Sequence, residues 1–462
     1  MSAFKLHTLK QKLWAIVAGS FVARIVVFFL LPDAPSSLAP DEGAYSEIAR
    51  RIATGEALDQ LGGLSRSSQT LVLPAAVFAR SGVDPLAATR LSALIYGVAT
   101  LAFMAHLISK VAHNQIEITR KHKKSMNLVL TLFAIYSFLP SHLLWSTLGL
   151  RESTMEFWVV LVFGSIFLIM HHTSGSHRLS YLVLIFSVFF LFYTRLQVAL
   201  LLIMSLTISM LLLFKVRNAR KILMVVVITS ALSFSSLFIQ TNVEFKLTKI
   251  DGSALDLAAV DLAACKKNKQ TILINGTQYL CQEIRNTTLK DISRPDEFIL
   301  GQITSIPDRQ EANQANASSV IQTTACPFEN NNEFDEIACL IWRAPYMTMT
   351  FLIRPIIGLD VTSRSSLFAA VENLLWSAGF IFILWSIAKK KKIPWFKPLF
   401  PSVLFFTLYT VAAGSYEGNM GTAFRHKSLI LWAVLLFIFA LAWRKPEESL
   451  KKSRNNSQES AV

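Results

Sequence analysis

"LWAIVAGSFVARIVVFFLL", residues 13–31, contains a single charged side chain, Arg24. At about 1.5 Å per residue, a helix of this length approaches the roughly 30 Å of a bilayer's hydrocarbon core. The run is long for a signal peptide and lacks a clear cleavage site, so we predict that it is a membrane span. Two adjacent carboxylates follow it, within the sequence "LAPDEGAYSEIARR" at residues 38–51.

The composition of the whole chain indicates a polytopic membrane protein. Of its 462 residues, 53% are hydrophobic and 16% charged, whereas soluble domains have about 25% charged residues. The formal net charge is +15, but the basic residues stand in short blocks between apolar runs, as in cytoplasmic loops, which excludes a nucleic-acid surface. Motifs of the Walker A, HExxH and CxxC types do not occur in the sequence, so ATP-driven transport and zinc hydrolysis have no support.

Charge and hydropathy together predict an all-α polytopic membrane protein with about ten transmembrane helices and a cytoplasmic N-terminus. Every block of Lys and Arg then lies in the cytoplasm, as the positive-inside rule requires. The apolar segment 179–214 is too long for one helix, so we predict that it divides at Arg195 and Gln197. The predicted spans are 13–31, 88–111, 127–146, 152–171, two within 179–214, 222–240, 366–388, 397–413 and 428–443.

The spans divide the chain into four parts. Residues 1–240 form a transmembrane core of seven spans, whose first external loop, 33–87, is expected to hold juxtamembrane helices and the catalytic residues. Residues 241–345 form an extracytoplasmic loop domain. Residues 346–443 contain the last three spans, and 444–462 form a basic cytoplasmic tail.

The loop domain contains all four cysteines of the chain. It has fourteen acidic and ten basic residues, the reverse of the cytoplasmic loops. Cysteines confined to one external loop predict two disulfides in an oxidising compartment. Three pairings can be formed, of which Cys265–Cys281 with Cys326–Cys339 is the simplest; a zinc site is the alternative, although this loop has no histidine.

The predicted topology gathers the unusual polar residues of the chain on the external side. Ionisable groups at membrane depth are costly and usually face a protein interior or an aqueous cavity. A carboxylate pair opposite several cations near the outer leaflet suits chemistry on an anionic lipid. The residues are Asp41, Glu42, Arg50, Arg51, Arg66, Arg151, Glu152, Arg195, Gln197, Arg354, Glu372, Asn373, Glu417, Asn419, Arg425, His426 and Lys427.

Residues 41–52 are predicted to form a helix along the membrane surface. In such a helix Asp41, Tyr45 and Ile48 share one face through their i, i+4, i+7 spacing, which could direct Asp41 and Tyr45 at a cavity. The alternative is structural, since Pro40 followed by two acids can simply begin a helix.

Two other elements also have structural alternatives. Arg151-Glu152 can anchor a helix at the interface, and residues 425–427 can bind lipid headgroups. However, three positive residues on the external side go against the usual charge bias. This departure from the bias favours the functional interpretation of residues 425–427.

The sequence "PDEGAYSEIARRIATG" (40–55) resembles the first external loop of C-type glycosyltransferases (GT-C). The resemblance is to their polyprenyl-phosphate-sugar-dependent group, which includes protein O-mannosyltransferases and the lipid A aminoarabinose transferase. Residues 73–103, with Arg90, resemble the second conserved block, and 139–153 the turn between spans three and four. The likeness covers 13–215. It departs at "SQTLVLP" (68–74), where the family has Lys/Arg-Pro-Pro-Leu, so substrate contacts made there in relatives are not carried over.

This resemblance implies inverting transfer of a hexosyl or pentosyl group from a polyprenyl phosphate to a hydroxyl of a glycan, lipid or protein. The reaction is expected on the external face of, most simply, the bacterial cytoplasmic membrane. We predict Asp41 as general base and Glu42 as its orienting or metal-contacting partner. No cofactor is required, although a divalent metal near this pair stays open. The predicted substrate-binding residues are Tyr45, Arg151, Glu152, Arg195, Arg425 and His426, with Arg425 and Arg151 at the donor phosphate.

Two other classes of function stay open. A lipid-linked oligosaccharide polymerase or ligase would need external arginines for a pyrophosphate and need not depend on Asp41. A lipid or glycan transporter is the non-enzymatic alternative, but the sequence has no internal repeat of the kind common in transporters.

Overall fold

The structure is a computed structural model of the chain. It describes residues 2–35, 39, 41–56, 68–116, 123–171, 177–239, 243–249, 271–274, 277–285, 333–357, 360–361, 364–388, 396–416, 423, 425–427 and 429–432.

Helices make up most of the described chain. In chain order they are α1 (Ser2–Leu30), α2 (Asp41–Ala53), α3 (Gln69–Arg80), α4 (Pro85–Ile116), α5 (Lys123–Ser137), α6 (Pro140–Trp145), α7 (Glu152–His171), α8 (Arg178–Phe192), α9 (Leu196–Leu212), α10 (Arg217–Ile239), α11 (Glu333–Ile353), α12 (Arg364–Ala388) and α13 (Phe396–Tyr416). Residues 425–427 and 429–432 are also helical, and we call them the C-terminal helical segment.

Several helices have the length and apolar composition of membrane spans. Within the described residues, four are long and apolar enough to cross a bilayer: Thr8–Leu30, Pro85–Lys110, Glu152–Met170 and Lys397–Ser415. The shorter apolar helices are Asn127–Ser137, Arg178–Phe192, Leu196–Leu212 and Leu367–Ile381. These eight segments fall at predicted spans one to six, eight and nine. The total of ten stays a prediction, because the tenth span extends beyond the described residues.

The helical structure of the apolar segment 179–214 is interrupted at the predicted position. Helix α8 ends at Phe192, and Arg195 has an extended backbone, with φ −163° and ψ 108°, before α9 begins at Leu196. Two apolar helices therefore replace one that would be longer than a bilayer is thick. The break brings Arg195 to a helix start.

Predicted span three, in contrast, is not one helix. It divides into α5 and the short α6, with Leu139 extended (φ −57°, ψ 133°) between them. Leu139 precedes Pro140, and the proline ring disfavours helical geometry at the residue before it. Pro140 therefore indicates a helix end at this position, which the hydropathy pattern does not.

The expectation of an all-α fold is wrong within residues 241–345. Three strands, β1 (Val243–Lys249), β2 (Thr271–Ile274) and β3 (Thr277–Arg285), form an antiparallel sheet in the order β1-β3-β2. In "VEFKLTK" apolar residues alternate with polar ones, which is the two-residue period of a strand with one buried face. The predicted boundary at 345 also falls inside a helix, α11.

Of the four cysteines, the structure describes two. Cys281 lies in β3 and Cys339 in α11, where it is disulfide-bonded. Cys265 and Cys326 lie outside the described residues. The pairing of Cys265 with Cys281 and of Cys326 with Cys339 therefore stays a prediction.

Helices α2 and α3 lie within residues 33–87, where juxtamembrane helices were predicted. They pack over the end of α4 and the turn between α6 and α7, around a buried apolar cluster formed by Ala39, Tyr45, Ile48, Leu71, Val72, Ala93, Trp145, Leu148 and Leu150. This external cluster is distinct from the larger core among the apolar helices. Burial of its side chains supplies the hydrophobic free energy that holds α2 in place.

The orientation of α2 differs from the prediction. The buried residues of α2 are Glu42, Tyr45, Ile48 and Ala49, whereas Asp41 is exposed. Tyr45 thus faces the external cluster with Ile48, and Asp41 does not share that buried face. The apolar positions determine which face of α2 is buried, because burying them is what stabilises the helix on its neighbours.

Candidate active site

The two adjacent carboxylates at the start of α2 have different environments. Glu42 is completely buried and forms a two-point ion pair with Arg90 of α4. Arg90 Nε donates to Glu42 Oε1 at 2.7 Å, and Arg90 Nη2 donates to Oε2 at 3.0 Å. A buried charge is tolerated when it is paired and hydrogen-bonded in this way. Both oxygens of Glu42 are therefore engaged by Arg90.

This ion pair also fixes the chain segments around it. The Gly149 amide, in the turn before α7, donates to Glu42 Oε1 at 2.8 Å. Arg90 Nη1 donates to the Pro32 carbonyl at 2.7 Å, and Arg90 Nη2 to the Ala34 carbonyl at 3.0 Å. The pair thus joins the end of the first apolar helix, the start of α2, α4 and the turn that leads into α7.

Asp41 is the exposed member of the carboxylate pair. Its side chain is 51% exposed, and Oδ2 lies 3.5 Å from Nη2 of Arg425. The two residues are 384 positions apart in sequence. Asp41 is the first residue of α2, where the helix dipole favours a negative charge. The fold therefore brings an exposed carboxylate and a distant cation to one place.

Glu152, the first residue of α7, contacts the same cation from the buried side. Its Oε1 lies 3.1 Å from Arg425 Nε and 3.7 Å from His426 Nε2. His426 Nε2 in turn lies 2.8 Å from Nη1 of Arg195. Contacts run without interruption from Asp41 through Arg425, Glu152 and His426 to Arg195, and we call these residues the polar row.

The polar row and the neighbouring Arg151 carry an excess of positive charge. Arg151, Arg195 and Arg425 are cations, whereas Asp41 and Glu152 are the carboxylates that face them. Clustered cations in a partly buried site attract an anionic ligand. Arginine suits phosphate in particular, because its planar guanidinium can donate two parallel hydrogen bonds.

Tyr45 lies within electrostatic range of the polar row without opening to solvent. Burial raises the pKa of Tyr45 to about 12; the cations Arg151 and Arg425 lower it by less, and the anions Glu152 and Asp41 raise it slightly further. The side chain is 1% exposed. Its phenol is therefore neutral at physiological pH, and its main contacts are those of the external cluster.

The structure brings together most of the residues predicted for the site. Asp41, Arg425, Glu152, His426 and Arg195 form the polar row, with Arg151 beside it. Glu42 and Tyr45 are adjacent in the fold but buried. Of the other external residues, Arg66, Glu417 and Asn419 lie outside the described residues.

The residues around Asp41 and Glu42 do not fit a divalent metal. Glu42 is fully buried, and both of its oxygens accept hydrogen bonds from Arg90, a cation that already balances its charge. Within the described part of the chain, no group of three or more His, Cys, Asp and Glu side chains is arranged to hold a metal. We derive no chemical step through a metal.

A buried polar cluster near the turn between α6 and α7 was not predicted. Tyr136 donates a hydrogen bond to Glu156, whose other oxygen lies 3.3 Å from His142 Nδ1, and the Tyr136 and His142 rings stack at 4.4 Å. Arg24 Nε donates to Ser146 Oγ at 2.8 Å. Ionisable residues inside apolar spans were the signal that could have revealed this cluster.

Contacts from α11 and α12 hold the C-terminal helical segment, which carries Arg425 and His426. Lys427 Nζ donates to Asn373 Oδ1 at 2.7 Å and to the Leu352 carbonyl at 3.2 Å. The neighbouring Glu372 accepts a hydrogen bond from the Ser141 amide at 2.9 Å. Lys427 directly follows His426, so these bonds fix the backbone that carries Arg425 and His426.

Comparison with known proteins gives little beyond this geometry. No family model and no curated protein matches the chain. Among solved structures, the apo crystal structure of ArnT from Cupriavidus metallidurans is similar to it, with 12% identity and a TM-score of 0.37, over 92% of this chain and 76% of that one. Similarity at this level does not show a function.

Proposed function

We propose that this chain is an integral-membrane glycosyltransferase that transfers a sugar from a polyprenyl-phosphate-linked donor to an acceptor hydroxyl on the extracytoplasmic face. The observation that carries the proposal is the contact between Asp41 and Arg425 at 3.5 Å. An exposed carboxylate that can accept a proton lies there beside a cation that can hold a phosphate. The same protein has helices long and apolar enough to cross a membrane.

Asp41 is proposed as the general base. The acceptor hydroxyl oxygen attacks the anomeric carbon, its proton passes to the Asp41 carboxylate, and the bond from the anomeric carbon to the phosphate oxygen breaks with inversion. A positioned carboxylate contributes about 10²–10⁴-fold to such a step. The 51% exposure of the Asp41 side chain leaves room for an acceptor to reach it.

The arginines are proposed to stabilise the leaving phosphate. It departs with the electron pair of the broken bond and is weakly basic, so it needs charge stabilisation rather than a general acid. Arg425 is the closest cation to Asp41, and its side chain is 12% exposed. Arg151 and Arg195 add positive charge around it. Preorganised donors in such a partly buried site act more strongly than they would in water.

Glu42 serves this chemistry indirectly in our proposal. Its ion pair with Arg90 fixes the first turn of α2, and therefore the position of Asp41. The loop domain at 241–345 is proposed to contact the acceptor or cover the site. The bacterial cytoplasmic membrane, with the site on its external face, is the proposed location.

The experiment is a transfer assay with the purified full-length protein in lipid nanodiscs. Radiolabelled sugars on decaprenyl monophosphate and on decaprenyl pyrophosphate are supplied separately, with cell-envelope glycolipids as acceptors. We expect sugar transfer and release of decaprenyl monophosphate from the first donor. Turnover of the pyrophosphate donor alone would indicate a polymerase or ligase. Movement of the glycolipid across a vesicle membrane without bond cleavage would indicate a transporter.

A further inference from the structure

One buried carboxylate has no chemical role in the proposed reaction. The Glu152 side chain is 3% exposed, so neither substrate reaches it in this conformation. Its Oε2 accepts no hydrogen bond from any group that the structure describes. A buried carboxylate oxygen without a hydrogen bond costs stability. We therefore ask which function of Glu152 outweighs this cost, and its contact with Arg425 indicates the answer.

Glu152 and Asp41 contact different parts of one guanidinium. Glu152 Oε1 lies 3.1 Å from Arg425 Nε, and Asp41 Oδ2 lies 3.5 Å from Arg425 Nη2. A buried carboxylate at Nε restricts rotation of the guanidinium plane, because turning the plane would break the ion pair. The orientation of the Nη2 side toward Asp41 is thereby set from inside the protein.

We propose that Glu152 is a positioning residue, which holds Arg425 in the orientation that receives the donor phosphate and does not itself touch the substrate. This inference rests on the function proposed above. It changes the predicted role of Glu152, which was that of a substrate-binding residue.

The backbone that carries Glu152 is well placed for this role. The turn before α7 is held at Ser146 Oγ by Arg24 Nε at 2.8 Å, and at the Gly149 amide by Glu42 Oε1 at 2.8 Å. Both holding side chains are buried. A carboxylate can orient a second side chain only if its own position is fixed, and these two bonds fix it from different helices.

A positioning role and simple electrostatics predict opposite results for Glu152→Gln. If the carboxylate acted only through its charge, it would repel a bound phosphate, and its neutralisation would tighten binding. If it orients Arg425, neutralisation weakens the grip on the guanidinium. Phosphate affinity would then fall by about 10- to 100-fold, the order expected when a cation loses its buried ionic partner.

The test measures equilibrium binding of decaprenyl monophosphate to the full-length protein in nanodiscs. We expect Glu152→Gln and Glu152→Asp both to weaken binding, since the shorter side chain keeps the charge but cannot span the same distance to Nε. The matched control is Glu47→Gln, which neutralises an exposed carboxylate of α2 and should leave binding unchanged. In the Arg425→Gln background, Glu152→Gln should change binding by less than about two-fold.

Each outcome distinguishes the two proposals. Unchanged or tighter binding by Glu152→Gln, or a full additive loss in the Arg425→Gln background, overturns the positioning role and leaves the proposed function standing. A wild-type protein that binds no decaprenyl monophosphate contradicts the proposed function itself. Elution of the Glu152→Asp variant as the wild-type species in size-exclusion chromatography shows that the loss of binding is not a loss of fold.

Discussion

Replacement of Arg90 by methionine is expected to destabilise the protein strongly. The side chains of Arg90 and Glu42 are 5% and 0% exposed, so Arg90→Met leaves a fully buried carboxylate without its ionic partner. Removing one member of a buried ion pair costs about 3–5 kcal/mol, whereas an apolar side chain of similar length limits the cavity term. The Pro32 and Ala34 carbonyls also lose their donor.

The assay is thermal unfolding of the detergent-purified protein, followed by tryptophan fluorescence. The matched control is Arg50→Met, which breaks an ion pair with Glu47 whose side chains are 52% and 46% exposed. Exposed pairs contribute about 0–1 kcal/mol, so this variant should unfold near the wild-type midpoint. In the Arg90→Met background, Glu42→Gln removes the buried charge and should raise the midpoint again. Equal midpoints for Arg90→Met and Arg50→Met would refute the reasoning.

Three further predictions concern the same region. A Cβ at Gly149 would lie 2.9 Å from Thr89 Cγ2, so Gly149→Ala should lower the free energy of unfolding by about 1–3 kcal/mol. Thr89→Ser removes that methyl group, so Gly149→Ala should lower the melting temperature less in the Thr89→Ser background. The folded-state pKa of Tyr45 is raised to about 12, so its contribution to stability is complete below pH 10 and is lost as the pH rises toward 12. The melting temperature of Tyr45→Phe should therefore fall less than that of the wild type between pH 10 and pH 12. Arg425→Lys keeps the charge but cannot contact two carboxylates through a planar fork, and its kcat/KM for donor should fall at least ten-fold; wild-type kinetics in this variant would show that charge alone suffices.

The positions of most apolar helices could be predicted from the sequence, whereas several of their ends could not. Hydropathy located the long helices, and the thickness of a bilayer required the break that the structure has at Arg195. The predicted start of span four coincides with the start of α7 at Glu152. These features depend on the hydropathy of consecutive residues, which can be read directly from the sequence. The same topology also predicted that Asp41, Glu152 and Arg425 lie together, and in the structure Arg425 contacts both carboxylates.

The partners of the buried charges could not be predicted. Glu42 and Arg90 are 48 positions apart, and Glu372 and Ser141 are 231 apart. Nothing local to either residue indicates which distant group will balance it. For the same reason the adjacent carboxylates Asp41 and Glu42 were assigned to one task, whereas packing exposes one and buries the other. The three-stranded sheet was missed because its strands lie in a polar segment, which a hydropathy analysis assigns to a loop.

The most direct test of the account is sugar transfer from a decaprenyl-monophosphate-linked donor by Asp41→Asn beside Glu47→Gln. The two variants each neutralise one exposed carboxylate of α2, but Asp41 belongs to the polar row and contacts Arg425, whereas Glu47 pairs with Arg50. We expect Glu47→Gln to retain wild-type kcat and Asp41→Asn to lose about 10²–10⁴-fold, with both proteins unfolding at the wild-type temperature. Full transfer activity in Asp41→Asn would contradict the assignment of Asp41 as the general base.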